Sequence, residues 1–216
     1  MMEILILGDS RIRDLKFRTD ERARIRKISI SGATLFQLQK VGSRIIKYLK
    51  PHSKVIVIVI AGICNYSTKY VTKDEKYCYY HGNTMNIHNM AASFLKTLNQ
   101  QKQEDVQVNL CFATLPPSKL KPPHIHCWDM MNKMQVDMEQ DIMYFNNMIK
   151  RWNIKQHLPT LQLHTTIMKK HKDKHNNKAY DYKKFYDGIH PKRELLYKWS
   201  NLVNSVIKSI LNYHYK

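Results

Sequence analysis

Two stretches of this 216-residue chain are apolar at successive positions, the mark of strands buried on both faces: residues 4–7 (ILIL) and residues 55–60 (VIVIVI). The second is β-branched throughout and belongs in the middle of a sheet. Weaker patterns predict further strands in ARIRKISISG, where Ile25, Ile28 and Ile30 precede a break at Gly32, and in VQVNLCFA at 106–113. Residues 161–167 read as a short last strand.

Helical spacing fills the intervals. Leu35, Leu38, Val41, Ile45, Ile46 and Leu49 follow a capping Thr34 and predict a helix to about residue 49, stopped by Pro51. Residues 90–98 and about 129–152 read as two more. After Pro191, a final helix buries Leu195, Leu196, Trp199, Val203, Val206, Ile207, Ile210 and Leu211. The charged run 11–26 reads as a first helix and loop, 66–86 as an excursion over one edge of the sheet, and 168–184 as a basic loop. The Pro pairs at 116–117 and 122–123 stiffen an extended loop. Strands alternating with helices imply one α/β domain over residues 1–216, a three-layer α/β/α sandwich around a mainly parallel sheet.

Composition changes this picture in one respect. Lys and Arg number 36 against 17 Asp and Glu, a formal net charge of +19, so the surface attracts polyanions such as nucleic acid, anionic membrane or acidic glycans. An AT-rich genome would produce the same excess of Lys and Asn codons. Cys64, Cys78, Cys111 and Cys127 form no CxxC pair and read as thiols of a reducing compartment. The short apolar run near the start is neither a signal peptide nor a membrane span, which predicts an intracellular, cytoplasmic or nuclear, protein.

Candidate chemistry lies where the strands stop. Residues 4–7 end at Gly8-Asp9-Ser10, delivering a hydroxyl to the exit edge of the sheet, where open α/β sheets bind ligands. A serine needs a base, and the base needs an acceptor that fixes its tautomer. Asp187 and His190, three apart in DGIHP, fit that pair. Either stretch alone also reads as ordinary helix-cap chemistry.

Taken in order, these blocks resemble the SGNH hydrolase superfamily, the GDSL esterases and lipases, across nearly the whole chain. Gly8-Asp9-Ser10 matches the nucleophile block, with Arg11 where Leu is common. Ser31-Gly32 matches the second block, 62–65 the third, and Asp187-Gly188-Ile189-His190-Pro191 the Asp-x-x-His block. The resemblance implies a flavodoxin-like sandwich, a Ser10–His190–Asp187 triad, and an oxyanion hole from the Ser10 and Gly32 N–H groups and the Asn65 amide, with no metal or organic cofactor. One departure stands out: the family's third block usually reads Gly-x-Asn-Asp, and here Gly-Ile-Cys-Asn sets the Asn one residue later. A bulge would re-aim the amide; otherwise the hole loses a donor, worth about 100- to 1000-fold in turnover, or takes a contact from Gly62 instead.

Other constellations carry less. His124, His126, Cys127, His171 and His175 show no complete four-ligand set for zinc. The methionines of the long helix, Met130 to Met148, read as a packing face. The Lys, His and Tyr of residues 169–184 suit either a solvated loop or a nucleic-acid contact. Two functions follow: a serine esterase acting on a small, glycan or lipid ester, or a module of the same fold that grips a polyanion such as nucleic acid with hydrolysis weak or lost. A basic domain without a secretion signal also resembles the esterase-like domains found in proteins of retrotransposons and large DNA viruses.

Overall fold

The structure is a computed structural model that describes residues 1–71, 76–80, 82, 86–120, 128–169 and 180–215. Four parallel strands, β1 (Met2–Gly8), β2 (Ala23–Ser29), β3 (Lys54–Ile60) and β6 (Gln107–Phe112), form the main sheet in the order β2-β1-β3-β6. Leu5 of β1 lies opposite Arg26 of β2 on one side and Val57 of β3 on the other, and Val57 in turn opposite Leu110 of β6. β4 (Ser67–Val71) and β5 (Lys76–Tyr80) make a separate antiparallel hairpin within the excursion after β3.

The two faces of the sheet are buried by different partners, which gives the three layers. Leu5, Leu7, Val55, Val57 and Val59 pack against α1 (Leu35–Ile46), α2 (Ile87–Gln101) and α3 (Trp128–Lys155). Ile4, Ile6, Ile56, Ile58 and Ile60 pack against α4 (Arg193–His214), through Trp199, Val203 and Ile207. Alternate residues of one apolar run thus serve opposite layers, as the strand period requires. Thr34 caps α1 in a capping box with Gln37, whose side chain accepts from the Thr34 N–H at 2.8 Å.

Three predicted elements differ. The helix expected after Ser10 is a single 3-10 turn, Ser10–Ile12, because Ile12 and Leu15 turn down into the α4-side core. The strand expected at 161–167 is a 3-10 turn, Leu163–Ile167, with Leu163 and Ile167 buried. It joins no ladder: Leu161 O accepts from Thr114 N at 2.9 Å just beyond β6, and the end of β6 itself is already taken at Phe112. Asn153 of α3 accepts from Phe112 N at 3.1 Å and donates to Phe112 O at 2.7 Å, and Asn146, two turns earlier, does the same to Leu115 at 2.6 and 2.8 Å. Asn153 thus takes the place of a fifth strand at the end of β6, and Asn146 satisfies the loop just beyond it. The excursion at 66–86, finally, contains the β4–β5 hairpin. Of the methionines on α3, Met131 and Met138 are buried in the core, whereas Met130 and Met143 are exposed.

Candidate active site

All four parallel strands end at the same edge, where the turns beyond β1, β2 and β3 and the turn before α4 build a cleft of about 290 Å³. Ser10 and Arg11 come from the turn after β1, Ser31 and Gly32 from the turn after β2, Ile63 and Cys64 from the turn after β3, and Ile189 and His190 from the turn before α4.

Residues 180 positions apart meet there: Ser10 Oγ lies 2.9 Å from His190 Nε2. His190 Nδ1 lies 2.8 Å from Asp187 Oδ2, and Asp187 Oδ1 accepts the N–H groups of Ile189 and His190 at 3.0 and 2.9 Å. Burial works against the Asp187 charge, but these hydrogen bonds from backbone and imidazole outweigh it and hold the carboxyl below the ordinary range. An anion fixed on Nδ1 keeps a proton there and leaves Nε2 to accept from the serine hydroxyl.

The turn carrying Asp187 and His190 is clamped from outside. Gly188, at φ +82°, gives its carbonyl to Lys119 N at 2.8 Å, and a Cβ on it would stand 2.6 Å from Lys119 Cβ. Only glycine fits that approach. The loop that carries Lys119 is tied to α3 by Asn146 and by Gln135, which accepts from Leu120 N at 2.8 Å and donates to Ser118 O at 3.1 Å.

The turn that carries Ser10 is held to the same loop by Asp9 and Arg11, the latter singled out in the sequence only as a departure. Arg11 and Asp9 are 4% and 1% exposed. Arg11 Nε and Nη2 donate to the Asp9 carboxylate at 3.0 and 2.8 Å, and Nη1 reaches Pro116 O at 3.2 Å. Burial opposes the guanidinium charge and the Asp9 carboxylate more than restores it, so the Arg11 pKa stands above its usual value. An Arg two residues after an Asp in a sharp turn was the available signal for such a fork.

The third block is resolved in an unexpected way. Ile63–Asn65 form a 3-10 turn entered through Gly62 at φ +133°, where a Cβ would meet Leu115 Cδ1 at 2.8 Å. Cys64, not Asn65, is among the residues lining the cleft, and Asn65 Oδ1 accepts from Leu35 N at 3.1 Å at the start of α1. Cys111, the other cysteine among the described residues that invites comparison, is buried and its thiol is pushed up to about 12, so it is no nucleophile near neutral pH. His124, His126, Cys127, His171 and His175, and most of the basic loop, lie outside the described residues, as do Cys78's side chain and its surroundings. Among the described residues no group of three or more His, Cys, Asp or Glu could hold a metal ion. Nor is any helix among them long and apolar enough to cross a membrane.

No protein-family model matches the chain, and no curated protein does. Solved structures match over nearly its full length. A GDSL-like lipase from Bacteroides thetaiotaomicron is 15% identical at a TM-score of 0.60, covering 98% of this chain and 88% of its own. A member of the lipolytic G-D-S-L family from Veillonella parvula is 9% identical at 0.58, covering 96% and 99%. A carbohydrate esterase of family 3 from Talaromyces cellulolyticus is 12% identical at 0.56, covering 98% and 99%. The chain therefore has the three-layer fold of the SGNH, or GDSL-type, hydrolases.

Proposed function

We propose that this protein is a serine ester hydrolase. The observation that carries the reading is the unbroken line from Ser10 Oγ through His190 to Asp187, at 2.9 and 2.8 Å, at the strand-exit edge of the sheet. Ser10 Oγ attacks the ester carbonyl carbon while its proton passes to His190 Nε2. Collapse of the tetrahedral intermediate breaks the bond to the alcohol oxygen, which leaves with that proton. Water then attacks the acyl-serine, again deprotonated by His190, and the carboxylic acid departs as Ser10 recovers its hydrogen.

The transient negative charge collects on the former carbonyl oxygen. Ser10 and Gly32 line the cleft and their backbone N–H groups are the donors this reading favours. Asn65 is the third candidate; its hydrogen bond to Leu35 N gives it a second duty at the start of α1. A cleft of about 290 Å³ sits at the lower end of small-molecule sites, which favours short acyl groups.

The test is hydrolysis of nitrophenyl esters from acetate to long-chain by the wild type beside Ser10→Ala. Activity greatest on the shortest esters and abolished in a folded Ser10→Ala protein is the expected result. Equal rates from the two proteins, with circular dichroism unchanged, would remove the serine from the chemistry.

A further inference from the structure

Charge is distributed unevenly along the chain. From Arg22 to Lys73 there is no Asp or Glu at all, and this stretch supplies β2, the edge strand, and α1 beside it. The outward side of α1 repeats at spacings of four, four and three: Phe36, Lys40, Arg44 and Lys47, all exposed. Such positions share one face of a helix. Phe36 is 60% exposed and Lys40 Nζ lies 4.5 Å from its ring centroid.

β2 extends the same surface. Arg24 and Arg26 pair in register with Glu3 and Leu5 of β1, and Leu5 faces the α1 layer, so both arginines project to that side of the sheet. Glu3 of β1 is engaged with Arg26 at 3.3 Å, and at the far end of α1 Gln103 reaches Lys47 O at 3.5 Å, which brings the neighbouring Glu104 and Asp105 close to that end of the row. Because α1 returns from the end of β2 to the start of β3, it runs against the strands and brings Arg44 and Lys47 to the level of Arg24 and Arg26. α3 differs: its exposed Lys133, Arg151 and Lys155 share the helix with Asp137, Glu139 and Asp141.

We infer that the α1–β2 face is a docking surface for single-stranded nucleic acid. A row of cations without intervening acids neutralises successive phosphates, and an exposed aromatic ring among them offers a base a stacking partner. A lipid surface fits less well, because a membrane-lying helix needs its apolar side outward. Here Leu35, Leu38 and Ile46 of α1 are spent in the core. The row starts four residues beyond Gly32 of the cleft, so a bound strand would run from the cleft rim toward the opposite edge of the sheet.

The probe is a fluorescein-labelled 20-nucleotide RNA, and a DNA of the same sequence, titrated by anisotropy at several salt concentrations. Wild type and Ser10→Ala should bind alike, so the outcome is separate from that of the esterase reading. The triple variant Lys40→Ala/Arg44→Ala/Lys47→Ala should lose at least ten-fold in affinity, with the slope of log K against log salt reduced by about 2. Lys133→Ala/Arg151→Ala/Lys155→Ala carries the same net charge and should stay within two-fold of wild type. Phe36→Ala should weaken binding while leaving the salt slope intact. Equal losses in the two triple variants would reduce the effect to net charge and overturn the proposal. So would failure to bind either oligonucleotide, or binding to phosphatidylserine vesicles that depends on α1 while oligonucleotide binding does not. RNA preferred over DNA would identify the source of the strand within the proposal.

Discussion

Arg11 reaches from the turn that carries Ser10 to the carbonyl of Pro116 at 3.2 Å while its other nitrogens hold Asp9. The Pro116 loop also clamps the Asp187–His190 turn through Lys119 and Gly188. The turns that carry Ser10 and His190 are thus fastened to one loop, which α3 fixes in turn. A Leu at position 11, common in the resembling family, would fill space there without making this connection.

Removing the guanidinium should be costly for that reason. Arg11→Leu leaves the Asp9 carboxylate buried without its cation, and a loss of about 3–5 kcal/mol is expected in denaturant unfolding. Asp9→Asn/Arg11→Leu, which removes both charges and keeps an acceptor for the N–H of residue 11, should recover a substantial part of it. A double variant no more stable than the single one would mean that the Pro116 contact, not the charge pair, carries the stabilisation.

Asp187 should leave a mark on both rate and acid stability. Its carboxyl pKa is lowered in the folded protein, so its contribution to stability is fully present above the ordinary carboxylate value of about 3.9 and is lost as pH falls through the lower folded value. Asp187→Asn should flatten that acid limb of the unfolding curve. Turnover should fall about 10⁴-fold at neutral pH, because the imidazole loses the anion that fixes its tautomer. An unchanged kcat would separate Asp187 from the chemistry.

The third block can be tested by exchanging the two duties assigned there. Asn65→Asp keeps an acceptor for Leu35 N and removes the amide donor, so unfolding and kcat should both stay near wild type if Asn65 mainly anchors α1. A 100-fold or larger fall in kcat would make its amide an oxyanion donor. Cys64→Asn places a side-chain amide in the cleft wall itself, and kcat on nitrophenyl acetate should rise.

The covered edge of β6 predicts a purely structural effect. Asn153→Leu strips partners from the Phe112 N–H and C=O. The expected cost is about 1–3 kcal/mol for each buried backbone group left unpaired. Burst-phase or steady-state kinetics of the surviving folded protein should be close to wild type.

Local sequence determined a large part of this protein. Continuous apolar runs specified β1 and β3 as central strands, because a strand covered on both sides has no polar face to show. Thr34 and the 3.6-residue period specified α1, and the spacing of Asp187 and His190 already contained their contact, since residues three apart in one turn meet without help from the rest of the chain. Ser10 was recognisable as a hydroxyl at a strand exit. Its 2.9 Å approach to His190 was decided by the tertiary structure, through the order of the parallel strands and the loop between Arg11 and Gly188. The same holds for residues 161–167: their apolar pattern is that of a strand, but a strand needs an open neighbour, and Asn153 had closed the end of β6 at Phe112. Whether Cys64 or Asn65 faces the cleft was beyond local reading as well, because a single turn rotated by Gly62 and packed on Leu115 sets the direction of both side chains.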